Sequence, residues 1–259
     1  MSGALSGQSV IVFGATGRLG RAVCLTIAVQ GARVAVHYNT NVTCAEDIAL
    51  KIKHQGGEAL IVGADVTQPQ QIEQCMQKVS NTWGRIDSVV NLVHRDKGFE
   101  PKNIADMSWE NWIPHIEAMK AHFNICHEAI PYMRSQNYGR IVYLSGGLCY
   151  RFFEGCAPFS AIKAGVNAFC KTLALEEGRY NITVNIVAPG KIVGFDQQDK
   201  TCNAAWSKLE EQQLTTTPLG RHANVQDVSN AILMFLLPGS SFLTGQTLFV
   251  AGGEIMPMP

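Results

Sequence analysis

The glycine cluster near the start of the chain constrains the fold more than any other feature. An apolar run, residues 10–13, leads directly into Gly14-Ala15-Thr16-Gly17-Arg18-Leu19-Gly20, and a segment of helical period, 21–30, follows at once. Glycines between a strand and a helix let the backbone turn tightly and approach a pyrophosphate. The phosphate charge then meets free N–H groups and the positive end of the helix dipole. The cluster predicts a dinucleotide cradle built on Gly14, Thr16, Arg18, Leu19 and Gly20.

The rest of the chain repeats the alternation. Residues 33–36, 59–62, 88–91, 140–144, 183–187 and 247–250 read as further strands, apolar almost throughout, with helical segments between them. Continuous apolar strands are those of a parallel sheet covered on both faces. The expected fold is therefore α/β, one Rossmann-type domain over 1–259 with a doubly wound parallel sheet of about seven strands. The least patterned stretch, 191–218, reads as a loop or as a lid over a cleft.

Charge narrows the partners. Lys plus Arg and Asp plus Glu both total 21, so no basic surplus exists to bind nucleic acid. Charged residues make up only 16% of the chain, which points to much surface buried, inside the fold or between subunits. The longest apolar run, 231–237, falls far short of the roughly 18 residues of a membrane span. No basic, apolar leader precedes the first strand, so a cytoplasmic protein is expected. The eight cysteines show no CxxC pair and read as free thiols, and His115, His122 and His127 do not form a metal-binding helix motif, so no metal is expected.

The end of the second strand, Val36-His37-Tyr38-Asn39, carries no carboxylate to bind an adenosine ribose, whereas Arg18 is placed to meet a 2′-phosphate. NADP(H) is the expected cofactor, with His37, Tyr38 and Asn39 beside its ribose. Asp65 follows the third strand, placed either to bond the adenine amino group or to cap the next helix.

With these residues in view, the chain resembles the short-chain dehydrogenase/reductase family along nearly its whole length. The resemblance is carried by the glycine cluster and by Gly84-Arg85-Ile86-Asp87, Gly139-Arg140-Ile141-Val142, Lys163-Ala164-Gly165, Val184-Asn185-Ile186-Val187-Ala188-Pro189-Gly190, Pro218-Leu219-Gly220-Arg221 and Leu243-Thr244-Gly245. Arg18 and His37-Tyr38 resemble the pteridine-reductase branch, whose cofactor is NADPH. The resemblance adds Val66, Asn91, Pro189, Gly190 and Ile192 to the cofactor contacts. It also implies a homotetramer or homodimer paired through helices 116–134 and 158–177, with a mixed tetramer as a variant.

The family's chemistry uses Asn, Ser, Tyr and Lys. Here the Tyr-x-x-x-Lys position reads Phe159-Ser160-Ala161-Ile162-Lys163, the Ser position falls on Gly146, and the Asn position falls on Ala118. Ser145, one residue earlier, is expected to face the other side of its strand. Only Lys163 of the four is kept, to hold the nicotinamide ribose. A phenol is therefore missing where the family's proton donor stands, and general acids contribute typically 10²–10⁴-fold. His94, beyond the fourth strand, and Tyr150, in the loop after the fifth, are the candidate replacements. Gly146, Cys149, Phe159 and Lys191 are expected around a small-molecule substrate. These departures leave three chemistries: an atypical NADPH-dependent reductase of an imine-like or conjugated heterocyclic molecule, an NADP(H)-binding subunit or sensor without redox turnover, and a non-redox cyclase or isomerase.

Overall fold

The computed structural model describes residues 3–94, 100–193 and 214–256. Seven parallel strands form the central sheet: β1 (Ser9–Phe13), β2 (Arg33–Tyr38), β3 (Glu58–Gly63), β4 (Ser88–Asn91), β5 (Gly139–Leu144), β6 (Ile182–Pro189) and β9 (Thr247–Val250), in the order β3-β2-β1-β4-β5-β6-β9. The expected α/β sheet is thus present. A separate two-residue pair, β7 (Ile192–Val193) with β8 (Ala223–Asn224), lies outside it.

Alternation within a single strand explains the two-sided burial. In β1, Val10 and Val12 pack into one core with Val23, Ile27, Ile48, Ile232 and Phe235. Ile11 and Phe13 point the other way, into a second core with Ile72, Met76, Ile125, Val166 and Cys170. The helices α1 (Arg18–Val29), α2 (Val42–His54) and α6 (Val225–Leu236) therefore cover one face. The helices α3 (Pro69–Trp83), α4 (Ile113–Ser135) and α5 (Ala157–Glu177) cover the other. With both faces covered, every position of β6 is buried, Thr183 and Asn185 included.

Several of the sequence motifs fasten the sheet. Gly84 ends α3 with φ 74°, a conformation that favours glycine. Asp87, fully buried, accepts the Ser9 N–H at 2.8 Å and so ties the start of β1 to β4. Asn185 of β6 donates to Leu243 O at 2.7 Å and accepts the Gln246 N–H at 3.1 Å, which locks β9 onto the sheet edge.

β1 pairs with β2 on one side and β4 on the other, so the chain winds away from it in both directions. A crevice opens beyond the carboxyl ends of the strands at such a reversal. Of the proposed lid, residues 194–213 lie outside the described residues. No helix among the described residues is long and apolar enough to cross a membrane.

Candidate active site

The glycine loop leaves β1 at Gly14, whose φ of 79° turns the chain back on itself, and the Gly17 N–H closes the turn on Gly14 O at 3.0 Å. Helix α1 begins at Arg18, three residues earlier than the period of the sequence suggests. It starts against the loop itself, since a Cβ on Gly20 would stand 2.3 Å from Gly14 O. No side chain caps this helix start and no acidic residue lies in its first turn. The donor set therefore suits a pyrophosphate, and the loop residues fit the nucleotide that the sequence implies.

His37 is turned inward. The Gly14 N–H donates to its Nδ1 at 3.2 Å, so the proton is on Nε2, which donates to Ala64 O at 3.0 Å. Burial of the neutral ring lowers its pKa to about 4. The expected ribose contact through this side chain is corrected: both ring nitrogens are engaged in holding the loop. Tyr38 packs its ring against Gly63, and Asn39 is exposed just past the strand. Thr16 gives its carbonyl to the Cys44 thiol at 3.5 Å. Asp65 accepts the Thr67 N–H at 2.9 Å and the Thr67 hydroxyl at 2.8 Å, a helix-entry turn. Val66 is buried, its carbonyl held by Asn124 at 3.0 Å.

From the loop a cavity of about 720 Å³ runs across the carboxyl ends of β1, β4, β5 and β6. Gly14, Arg18, Leu19 and Gly20 line one end. Pro189, Gly190, Lys191 and Ile192 line it after β6, and Gly146, Phe159, Lys163 and the exposed His94 line it as well.

Position 146 faces 159 directly, because a Cβ at Gly146 would stand 3.1 Å from the Phe159 ring. Lys163, one helical turn on, is buried and donates to Leu144 O at 2.7 Å; its ammonium lies 4.8 Å from the Tyr143 ring and 5.8 Å from that of Phe159. The His94 ring stands edge-on to Phe159 at 5.2 Å, with His115 of α4 behind the pair at 6.2–6.3 Å. Ser145, expected to face the other side of its strand, is corrected as well: it lines the cavity beside Gly146, with its hydroxyl 3.6 Å from the Cys149 thiol.

Two expectations are corrected. Tyr150 does not line the cavity: its ring stands edge-on to Phe249 and its hydroxyl lies 3.4–3.5 Å from Asn167 and Thr247. Packing against β9 draws the phenol away from the cleft. Cys149 likewise is buried behind the wall, its thiol donating to Gly146 O at 3.0 Å.

Asn91 is a brace for the site. Its Oδ1 accepts the Val93 N–H at 2.9 Å, which fixes the amide so that Nδ2 donates to His122 Nδ1 at 3.0 Å. The proton of His122 is then on Nε2, 3.3 Å from the Cys170 thiol, and burial lowers the pKa of this ring to about 3.

The reading of the sequence missed an ion pair. Arg151 Nη1 donates to Glu254 Oε1 at 2.8 Å, and both residues line the cavity. They lie 103 residues apart, and no local pattern links them.

A family model described as enoyl-(acyl carrier protein) reductase matches residues 14–254. Among curated proteins, the 3-oxoacyl-[acyl-carrier-protein] reductase FabG of Staphylococcus epidermidis is 32% identical over 96% of this chain and 99% of its own length. The protein of that name from Staphylococcus aureus is 33% identical over 96% of this chain and 98% of its own. A 3-oxoacyl-[acyl-carrier-protein] reductase of Synechocystis is 32% identical over 98% and 99%. A crystal structure of NAD+-bound xylitol dehydrogenase shares the fold, with a TM-score of 0.87, 24% identity and coverage of 96% of this chain and 99% of that one. The matched motifs, the strand order and these relatives together make this chain a member of the short-chain dehydrogenase/reductase family.

Proposed function

We propose that the chain is an NADP(H)-dependent reductase that acts on a small imine-like or conjugated heterocyclic molecule. The observation that carries this reading is the facing pair Gly146 and Phe159 beside Lys163. Neither has a proton to give, although the family places its hydroxyl donors at these two positions. Reduction of a plain ketone leaves charge on oxygen, and that oxygen needs a donor in the transition state. An acceptor that already carries positive charge is neutralised instead, and positioning alone suffices. A dihydronicotinamide, when bound, supplies the hydride.

The chain's own residues do the rest. The loop N–H groups and the start of α1 would hold the pyrophosphate, and Arg18 at the cavity end would meet a 2′-phosphate. No carboxylate at 36–39 opposes that phosphate. Lys163 would hold the ribose hydroxyls, with its ammonium fixed by Leu144 O and the Tyr143 ring. Phe159 closes the wall against water, and His94, on the same wall, is the imidazole placed to exchange a proton with product. We propose in addition that copies associate in twos or fours through α4 and α5, where Ile116, Phe123 and Leu175 are exposed.

The test follows the absorbance of NADPH with purified protein across cyclic imines, dihydropterins, quinones and aliphatic ketones. Consumption with an imine or heterocycle and none with the ketones is expected. In Phe159→Tyr, ketone reduction should rise by about 10²-fold while the nucleotide Kd stays unchanged. Brisk turnover of aliphatic ketones by the unaltered protein overturns the reading. Tight nucleotide binding by calorimetry with no consumption across the panel favours instead an NADP(H)-binding protein without redox turnover, the reading that the same facing pair supports second.

A further inference from the structure

The cavity wall beside Gly190 holds a charge pair whose bonding is incomplete. Arg151 follows the short turn after β5, and Glu254 follows β9. One guanidinium nitrogen, Nη1, is taken up: it donates to Glu254 Oε1 at 2.8 Å and to Thr216 Oγ1 at 2.9 Å. The Nε and Nη2 hydrogens of Arg151 have no acceptor among the described residues, and Glu254 Oε2 has no donor there. The guanidinium lies 5.7 Å from the Phe153 ring. The Glu254 side chain is only 4% exposed, and its Oε2 would come within 3.1 Å of a Cβ at Gly190.

A side chain this little exposed, with its second oxygen open only to the cavity, gains free energy from a donor that reaches it there. Burial accordingly raises the pKa of Glu254, against the lowering effects of Arg151 and His222. Charge limits what could complete the bonding. An anion drawn to Arg151 meets the Glu254 carboxylate beside it, and a cation drawn to Glu254 meets the guanidinium. An uncharged edge with a carbonyl next to an N–H satisfies both at once, accepting from Arg151 and donating to Glu254. Phe153, Phe159, Leu148 and Ile255 line the same cavity with flat or apolar surface, suited to a planar ring.

We propose that Arg151 and Glu254 select the substrate by binding a lactam edge, adjacent C=O and N–H and itself uncharged, of a flat heterocycle whose imine-like acceptor bond lies elsewhere in the ring. The inference deepens the reductase reading and rests on it for the location of the substrate end of the cavity. Arg151 and Glu254 are specificity residues in this account, and the repulsion each offers to a wrong charge matters as much as the bonds they make.

The test uses binding, so it stands apart from turnover. Quinolin-2(1H)-one, its N-methyl derivative and quinoline-2-carboxylate are titrated by calorimetry into the full chain, with and without NADP+. The lactam should bind at least about tenfold more tightly than either of the others. Glu254→Gln should weaken the lactam about tenfold and reverse the preference toward the carboxylate, because the opposing charge is gone. A pair that served only to hold the fold together would change the melting temperature without changing that ratio. Equal binding of the N-methyl compound, a carboxylate preference in the unaltered protein, a ratio unmoved by Glu254→Gln, or no binding of any probe overturns the proposal. The comparison of the first two probes needs no variant, so it holds even if Glu254→Gln fails to fold. Absence of NADPH consumption alongside lactam binding would remove the reductase reading and leave this one in place.

Discussion

At the residue scale, two buried imidazoles hold the site in shape only while they are neutral. His37 takes the Gly14 N–H on Nδ1, and His122 takes the Asn91 amide on the same atom; a proton on either ring breaks that bond. Unfolded histidine binds its proton near pH 6.5, whereas His37 does so at about 4 and His122 at about 3. Between these values the unfolded chain binds more protons than the native one. Stability is therefore full above pH 6.5 and falls as the pH drops toward 4, by about 1.4 kcal/mol per pH unit for each ring. Urea midpoints from about pH 7 to about pH 4.5 should show that slope, and His37→Gln should make it shallower by about one ring's share. Identical slopes would mean that His37 is not held neutral. Sequence gave access to these residues unevenly. The loop glycines were readable from the spacing of the first strand–helix unit, and Phe159 and Lys163 from the resemblance to the family. The inward turn of His37 and the withdrawal of Tyr150 depend on Ala64 and Phe249, which belong to other elements and leave no trace in the local pattern.

At the scale of elements, the inner strands β1, β4, β5 and β6 were legible because they are buried on both sides, so hydrophobicity alone marks them. Strand ends were less so: β2 runs on through His37 and Tyr38 and β6 through Pro189, since polar or ring-constrained residues at a sheet's carboxyl edge still pair. The pair β7–β8 has two residues on each side, too short for any period to register. Helix α1 packs tightly on its own loop. An alanine at position 20 would place a methyl 2.3 Å from Gly14 O and 2.6 Å from the Ala15 Cα, both backbone atoms that cannot swing aside. Gly20→Ala should therefore lower stability by about 3 kcal/mol and weaken NADP+ binding by at least about tenfold, measured by thermal melting and calorimetry. A variant that melts and binds like the unaltered protein would show that the helix start can shift.

For the whole molecule, the low charge of the sequence and the apolar side chains exposed on α4 and α5 point the same way. Light scattering should return the mass of two or four chains, and Phe123→Glu should shift it toward one; a monomer at all concentrations sinks the assembly proposal. Topology also divides the cavity by origin. One part comes from the turn between β1 and α1, within the first twenty residues, and another from Arg151 and Glu254, which with Thr216 belong to three widely spaced segments that meet at one guanidinium. If the proposed roles hold, mutation in any of those segments alters selectivity without disturbing the coenzyme cradle, so evolution can exchange one part of the pocket while inheriting the other intact.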